Sequence, residues 1–365
     1  MKIKKSSHVL ICRTDNIGDV VLTLPITAWL KQHFPSIKIS FLCRAYAAPV
    51  VRRCCTVDEV VEEEEFWRNP QAYFSRAKVD TVIFAQPDKK LVMAAFKARI
   101  PNRIGNARQK LYQLLFCNRR VRFSKSTSPL HEAQFNFEFL RPFGLTDFPE
   151  PGAMPPLFSF RHHDDENIKR LLQPYSFNII LHTKSNGHGR EWPTGHYCAL
   201  AKLLSKNGNI HMWLTGSASE GQWLRQNAPE LFQLPNVTDV CGKFTLDELT
   251  TFIKEADGLI ASGTGPLHLS AALGQRTLGL FPPTRPMHPG RWAPVGLRAQ
   301  VLCVETSCAG CREKQTISCD CMMNISPESV AEIVRHWYDD AQRSESGPRA
   351  ALHGEDARSP LVRQG

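Results

Sequence analysis

The chain has 365 residues, 42% of them hydrophobic and 22% charged, with a formal net charge of +10. That balance fits a soluble globular protein with room for two domains of ordinary size. No apolar run reaches the roughly 18–20 residues of a membrane span. The basic opening Met1-Lys2-Ile3-Lys4-Lys5 precedes an apolar run that stops at Arg13, too short for a secretion signal, so a cytoplasmic protein is expected.

In chain order, residues 9–12 read as a strand, 20–33 as a helix and 37–42 as a strand. Further strands are expected at 57–61 and 81–84. These apolar runs do not alternate cleanly, which predicts strands covered on both faces, in a parallel sheet with helices outside. Glu62 to Glu65 is a charge run expected in a loop or on a solvated edge. Between 97 and 125 the chain carries nine basic residues and no acidic one: Lys97, Arg99, Arg103, Arg108, Lys110, Arg119, Arg120, Arg122 and Lys125. Such a stripe suits an anionic partner, although a face charged for solubility alone has the same composition.

Pro149, Pro151, Pro155 and Pro156 surround Gly152 and read as an interdomain linker. Beyond them, strands are expected at 178–181, 210–214, 258–261 and 277–281. Helices are expected at 195–206, 219–227, 246–255, 266–273 and 327–340. Residues 344–365 are polar without apolar periodicity and are expected to be disordered. The division is a Rossmann-like domain at 1–155, a second at 156–342 and a tail at 343–365. The fold class is α/β, two such domains facing a cleft where strand ends present ligands.

Four motifs follow expected strands. Arg13-Thr14-Asp15-Asn16-Ile17-Gly18-Asp19 is neither a dinucleotide fingerprint nor a P-loop. It offers Asp19, where the loop enters a helix, as a general base on a hydroxyl; the plainer role for Asp19 or Asp15 is a helix cap. The run from His182 to Pro193 holds Thr183, Lys184, Ser185 and Arg190, groups that fit a diphosphate, unless it is simply an exposed polar loop. Gly216 and Ser217 form a small-residue bend suited to a ribose or base. Ser262-Gly263-Thr264-Gly265-Pro266-Leu267-His268 joins a strand to a helix start. There, glycines let the backbone approach a ligand, and free N–H groups favour phosphate. A fifth segment, the loop 281–294, also follows a strand and is stiffened by five prolines.

Together these motifs resemble glycosyltransferase family 9, the ADP-heptose:lipopolysaccharide heptosyltransferases. The likeness rests on Gly18-Asp19, on His182 with Arg190-x-Trp192-Pro193, on the run 264–274 and on Phe281-Pro282-Pro283-Thr284, and spans about residues 8 to 340. The resemblance implies a GT-B fold with the acceptor on the N-terminal domain and the nucleotide sugar on the C-terminal one. It implies an inverting transfer with Asp19 as base, and Thr264, Gly265, Pro266 and His268 at the donor phosphates. Arg190 stands where many members carry Lys. The chain departs from the family at Gly263, where many carry an Asp that helps hold the donor.

On this reading the partners are an ADP-sugar donor and an anionic glycolipid at the inner face of the cytoplasmic membrane, which the enzyme would approach peripherally. Arg103, Arg108 and Lys110 would be the acceptor contacts. No Asp-x-Asp motif lies near these loops, so no metal cofactor is expected for the transfer. Cys308-x-x-Cys311 and Cys319-x-Cys321 have spacing that could suit zinc, but the second pair is tight, and reduced structural thiols or an opportunistic disulfide are the simpler expectation. Two alternatives are a nucleotide-sugar epimerase of the same architecture, which needs further cleft carboxylates, and a non-enzymatic zinc- or anion-binding protein. No aromatic-interleaved motif points to nucleic acid.

Overall fold

The structure, a computed structural model, describes residues 7–185, 187, 189–206, 209–305, 307–312 and 319–345. The basic residues 1–5, Asn186 and His188 of the second motif, and residues 346–365 of the expected tail lie outside the described residues.

Among the described residues, twelve strands form two all-parallel sheets. The first contains β1 (His8–Cys12), β2 (Lys38–Cys43), β3 (Glu59–Glu62), β4 (Thr81–Phe84), β5 (Asn102–Asn106) and β6 (Arg119–Val121), ordered β3-β2-β1-β4-β5-β6. The second contains β7 (Phe177–His182), β8 (Ile210–Thr215), β9 (Val237–Asp239), β10 (Gly258–Ser262), β11 (Arg276–Phe281) and β12 (Ala299–Cys303), ordered β12-β11-β10-β7-β8-β9. Counted from its own first strand, the second sheet repeats the order of the first. In each, the winding reverses beside the first strand: between β1 and β4, and between β7 and β10. Open parallel sheets bind ligands beyond the strand ends at that reversal.

The central strands are buried on both faces for a visible reason. Val9 and Ile11 of β1 enter one apolar core, while Leu10 and Cys12 enter the core on the opposite face. Ile260 of β10 is likewise separated from Leu259 and Ala261. With side chains alternating across a strand, both sets must be apolar, which is why the sequence shows continuous runs there.

Several elements differ from the sequence expectation. The helix expected at 20–33 is two helices, Ile17–Thr23 and Pro25–His33. Pro25 has no N–H for the preceding turn and starts a new helix at its own first position. Glu63 to Glu65 open a short helix, Glu63–Phe66, where carboxylates favour the positive end of the helix dipole. Strands β5, β6, β9 and β12 were not expected; three are sheet edges, and β6 and β9 are only three residues long, so little apolar pattern marks them. The last helix, Pro327–Glu345, extends into the expected tail.

The proline-rich segment is not a free tether. Met154 is fully buried, and Leu157, Phe158 and Phe160 pack against the first half. Beyond it, Cys55 N–H donates to Ser159 O at 2.8 Å, and Cys54 bridges Phe160. The halves also join through Arg53, whose guanidinium donates to Asp247 Oδ1 at 2.7 Å and to Thr251 Oγ1 at 2.8 Å.

Candidate active site

The helix after β1, Ile17–Thr23, packs directly on the helix after β10, Gly265–Ala272. Two motif glycines allow it. A Cβ on Gly265 would lie 2.0 Å from Ile17 Cγ2, and one on Gly18 would lie 2.9 Å from His268 Cδ2. Ligand approach is the role expected of the glycines in the Ser262–His268 turn; in the fold, Gly265 lines the cavity described below and, with Gly18, also lets the two halves approach each other.

Beside this crossing opens a cavity of about 550 Å³. Its walls come from the carboxyl ends of strands in both sheets. The β1 loop gives Asn16 to Asp19, and the β7 loop gives His182, Lys184, Ser185 and Arg190. The β10 loop gives Gly263 to Pro266 and His268. The β11 loop gives Phe281, Met287, Arg291 and Trp292, among others. Asp19, Lys184, Ser185, Arg190, Thr264, Gly265, Pro266 and His268, scattered over 250 positions of sequence, therefore share one cavity.

Asp19 occupies the first turn of its helix but does not cap it. The cap residue is Asn16, and no side chain bonds the free N–H groups there. Asp19 is instead paired with Arg13, which is almost wholly buried and also donates to Asp15 at 2.7 Å and approaches Glu132 at 3.4 Å. Burial pushes the Asp19 carboxyl up to about 6. Arg13 opposes that rise, while Asp15 and Glu132 add to it. Glu132 is itself buried, and Lys125, Arg13 and Arg291 overcome the burial to hold its carboxyl below its ordinary value. Arg291 reaches it from the second half, donating to Glu132 Oε2 at 3.0 Å.

On the opposite wall the polarity reverses. Glu191 accepts from Ser185 N–H at 2.8 Å, from Ser185 Oγ at 2.9 Å and from Lys184 Nζ at 2.5 Å. Lys184 also lies 3.8 Å from the centre of the Trp223 ring. The loop is anchored by Trp192, whose backbone N–H donates to Ser262 Oγ at 3.2 Å. Thr264 precedes the Gly265–Ala272 helix without capping it, and its hydroxyl is buried with no partner among the described residues. His268 is buried so deeply that its imidazole is pushed down to about 3 and stays neutral.

Six expected contacts lie outside the cavity. Thr183 is buried behind it. Ser217 caps the helix Ala218–Asn227, accepting from Glu220 N–H at 3.2 Å, and Gly216 precedes it; it is Glu220 that reaches the cavity wall. Arg103, Arg108 and Lys110 belong to β5 and the turn after it, two strands and about 10 Å from β1 across the sheet. Arg103 donates to Phe116 O at 2.8 Å. Lys125 does not share the surface of the other basic residues, because it turns inward to Glu132.

Sequence reasoning did not single out Tyr46, Glu132, Arg291 or Trp292. Arg291 and Trp292 stand in the proline-rich loop that the sequence placed at the cleft rim. Nothing local marks Tyr46 or Glu132.

Comparison with known proteins agrees with this architecture. The family model for glycosyltransferase family 9 (heptosyltransferase) matches residues 75–321. A putative glycosyltransferase of Haemophilus influenzae is 29% identical over 304 residues, covering 79% of this chain and 86% of that protein. The lipooligosaccharide heptosyltransferase 2 of the same organism is 22% identical over 301 residues, covering 77% and 85%. The solved structure of E. coli ADP-heptose lps heptosyltransferase II superposes with a TM-score of 0.73 at 19% identity, covering 92% of this chain and 99% of that one. The epimerase and binding-protein alternatives are set aside by this match, and the chain, a GT-B-fold enzyme, belongs to glycosyltransferase family 9, the heptosyltransferases.

Proposed function

We propose that the chain transfers heptose, with inversion, from ADP-heptose to a hydroxyl of a lipopolysaccharide-core-type acceptor, with Asp19 as general base. The observation that carries this reading is the Asp19 carboxylate, raised to about 6, in one cavity with Lys184, Arg190 and the start of the Gly265–Ala272 helix. A base slightly below neutral is still ionised near pH 7 and accepts a proton better than an ordinary carboxylate.

Asp19 takes the hydroxyl proton as that oxygen bonds to the anomeric carbon. The bond from that carbon to the diphosphate breaks, and ADP leaves with the electron pair. Lys184 and Arg190 offset its charge together with the helix N-terminus, where the unpartnered Thr264 hydroxyl gains a phosphate partner. These groups are the donor contacts, and no divalent cation is required. The donor sugar rests near Gly263, where a Cβ would meet the Phe281 ring at 3.0 Å; a larger residue there needs Phe281 to move.

The acceptor arrives from a membrane surface. Leu111 and Leu115 are 70% and 61% exposed on one short helix, Leu111–Phe116, and stand among exposed Arg108, Lys110, Arg119, Arg120 and Arg122. Apolar side chains ringed by cations suit an anionic lipid surface, where each cation contributes about 1 kcal/mol. No described helix is long and apolar enough to cross a membrane, and the proposed association is peripheral, on the cytoplasmic face.

The test is a donor screen by thermal shift with ADP-, UDP-, GDP- and CMP-sugars, followed by transfer to lipopolysaccharide acceptors. ADP-heptose should raise the melting temperature most and support transfer. A preference for another nucleotide, or transfer unchanged in Asp19→Asn, overturns the reading. Sedimentation with anionic and neutral phospholipid vesicles tests the membrane contact.

A further inference from the structure

The transfer chemistry leaves one cluster unused. Cys308 precedes a single 3-10 turn, Ala309–Arg312, and Cys311 lies within it; Cys319 precedes the short helix Asp320–Met323, and Cys321 lies within that. Their four sulfur atoms all lie within 4.8 Å of one another. Cys311 Sγ is 3.4 Å from Cys319 Sγ and 3.2 Å from Cys321 Sγ, and Cys308 N–H donates to Cys321 Sγ at 3.1 Å. These separations exceed a disulfide bond of about 2.05 Å, so neither pair of sulfurs is joined by a disulfide. Four thiolates around one ion, with metal–sulfur bonds of about 2.3 Å, need sulfur separations of about 3.8 Å. The two spacings from Cys311, 3.4 and 3.2 Å, lie a little below that value, and the whole set falls within 4.8 Å.

Buried thiols often act only as small apolar groups. That role accounts for Cys12, Cys43 and Cys117, which are set among aliphatic and aromatic side chains in or beside the first sheet. It does not account for four sulfurs converging between one-turn elements. Three of them are buried, and Cys308 is partly exposed, which leaves an entry path. We infer that Cys308, Cys311, Cys319 and Cys321 bind one zinc or iron(II) ion as thiolates, and that this ion braces the donor loop from behind. On binding, the thiols release their protons to solvent and the metal keeps its oxidation state. Soft sulfur donors in a four-fold set select these metals over magnesium or calcium.

The brace follows from one contact. Ile325, four residues beyond Cys321, accepts a hydrogen bond at 2.8 Å from the indole Nε1 of the fully buried Trp192. Trp192 directly follows Arg190 and Glu191, and Glu191 holds Lys184 and Ser185. Fixing Cys319 and Cys321, just ahead of Ile325, therefore fixes the platform on which that loop rests. The cysteines are positioning residues, since none lines the cavity.

The test is metal analysis of the full chain purified under reducing conditions from zinc- or iron-supplemented cultures, with cobalt(II) as a spectroscopic probe of the chelator-stripped protein. About one metal per chain is expected, and the cobalt form should show thiolate-to-cobalt charge-transfer absorption. Cys308→Ser, at the exposed corner, should lose most of the metal while the protein stays folded by circular dichroism. Its affinity for ADP, read by calorimetry, should fall several-fold, and metal-stripped wild type should show the same loss. Under saturating donor, kcat should change less than KM. A chain that carries no metal and takes up no cobalt, or a disulfide among these cysteines under reducing conditions, overturns the site. Metal bound with ADP affinity unchanged on its removal overturns the brace.

Discussion

In the first half, the loop after β1 carries a buried cation, Arg13, held among Asp15, Asp19 and Glu132; in the second half, the loop after β7 carries a carboxylate, Glu191, that holds Lys184 and Ser185. The two strands stand at the same place in sheets of the same order. One backbone plan thus delivers opposite charge to the two walls of one cavity. In each wall a buried counter-ion fixes the working group, so that less order is lost when a ligand arrives. The comparison teaches that topology chooses where the chemistry sits, and that the residue just past the strand chooses its sign.

The division of labour is broken most severely at Asp19. Asp19→Asn should lower kcat by about 10²–10⁴-fold, with ADP affinity within a few-fold of wild type, as for a group acting in the transition state. Pre-steady-state transfer rates and calorimetry measure the two arms; a large loss of ADP affinity would place Asp19 in donor binding. The second half should respond in the opposite sense. Arg190→Ala is expected to weaken ADP binding by about 10–100-fold, the range for a lost charge-assisted hydrogen bond. Unchanged ADP affinity would remove Arg190 from the phosphate site.

The contact between the halves can be strained without touching a charge. Gly265→Ala places a methyl group against Ile17 and should cost about 1–3 kcal/mol in denaturant unfolding. Gly195→Ala, in the first turn of Thr194–Ser205 with open space around its Cβ position, should be neutral or stabilising by up to about 1 kcal/mol. Equal costs at the two sites would mean that the helix crossing is not tight.

The smallest effect expected is a shift in pH dependence. Activity should fall on the acid side with an apparent midpoint near 6 as Asp19 takes up a proton. Lys125 pulls that value down, so Lys125→Met should move the midpoint upward by less than about one pH unit. A downward shift would contradict the assigned electrostatics. Stability runs against the proposed activity here. Because the folded value of Asp19 lies above its ordinary 3.8, its contribution to stability is full below that value and is lost as pH rises through about 6. The proposed base is thus ionised only where it no longer favours the fold.

Much of this was legible in the chain. The runs leading into Arg13, His182 and Gly263 are apolar because their strands are covered on both faces, and polar or small residues follow where each strand ends at the cleft. That pattern points to Asp19, Lys184, Arg190, Thr264 and His268, which the fold brings to one cavity. Ser217 misled because a hydroxyl after a strand suits a helix cap as well as a ribose, and Glu220 three residues later completes the cap. Arg103, Arg108 and Lys110 misled as members of a charged stripe, which gives no register across a sheet.

The α/β class, the parallel sheets and the loops that line the cavity are legible in the chain alone, since strand periodicity and strand-end composition are local properties. That Gly18 and Gly265 meet at a helix crossing, that Glu132 joins Arg13 to Arg291, and that four cysteines converge behind Trp192 emerges only from the folded molecule. Those facts depend on contacts between residues far apart in the chain, set by how two sheets and their helices pack, and no local pattern encodes such a distance.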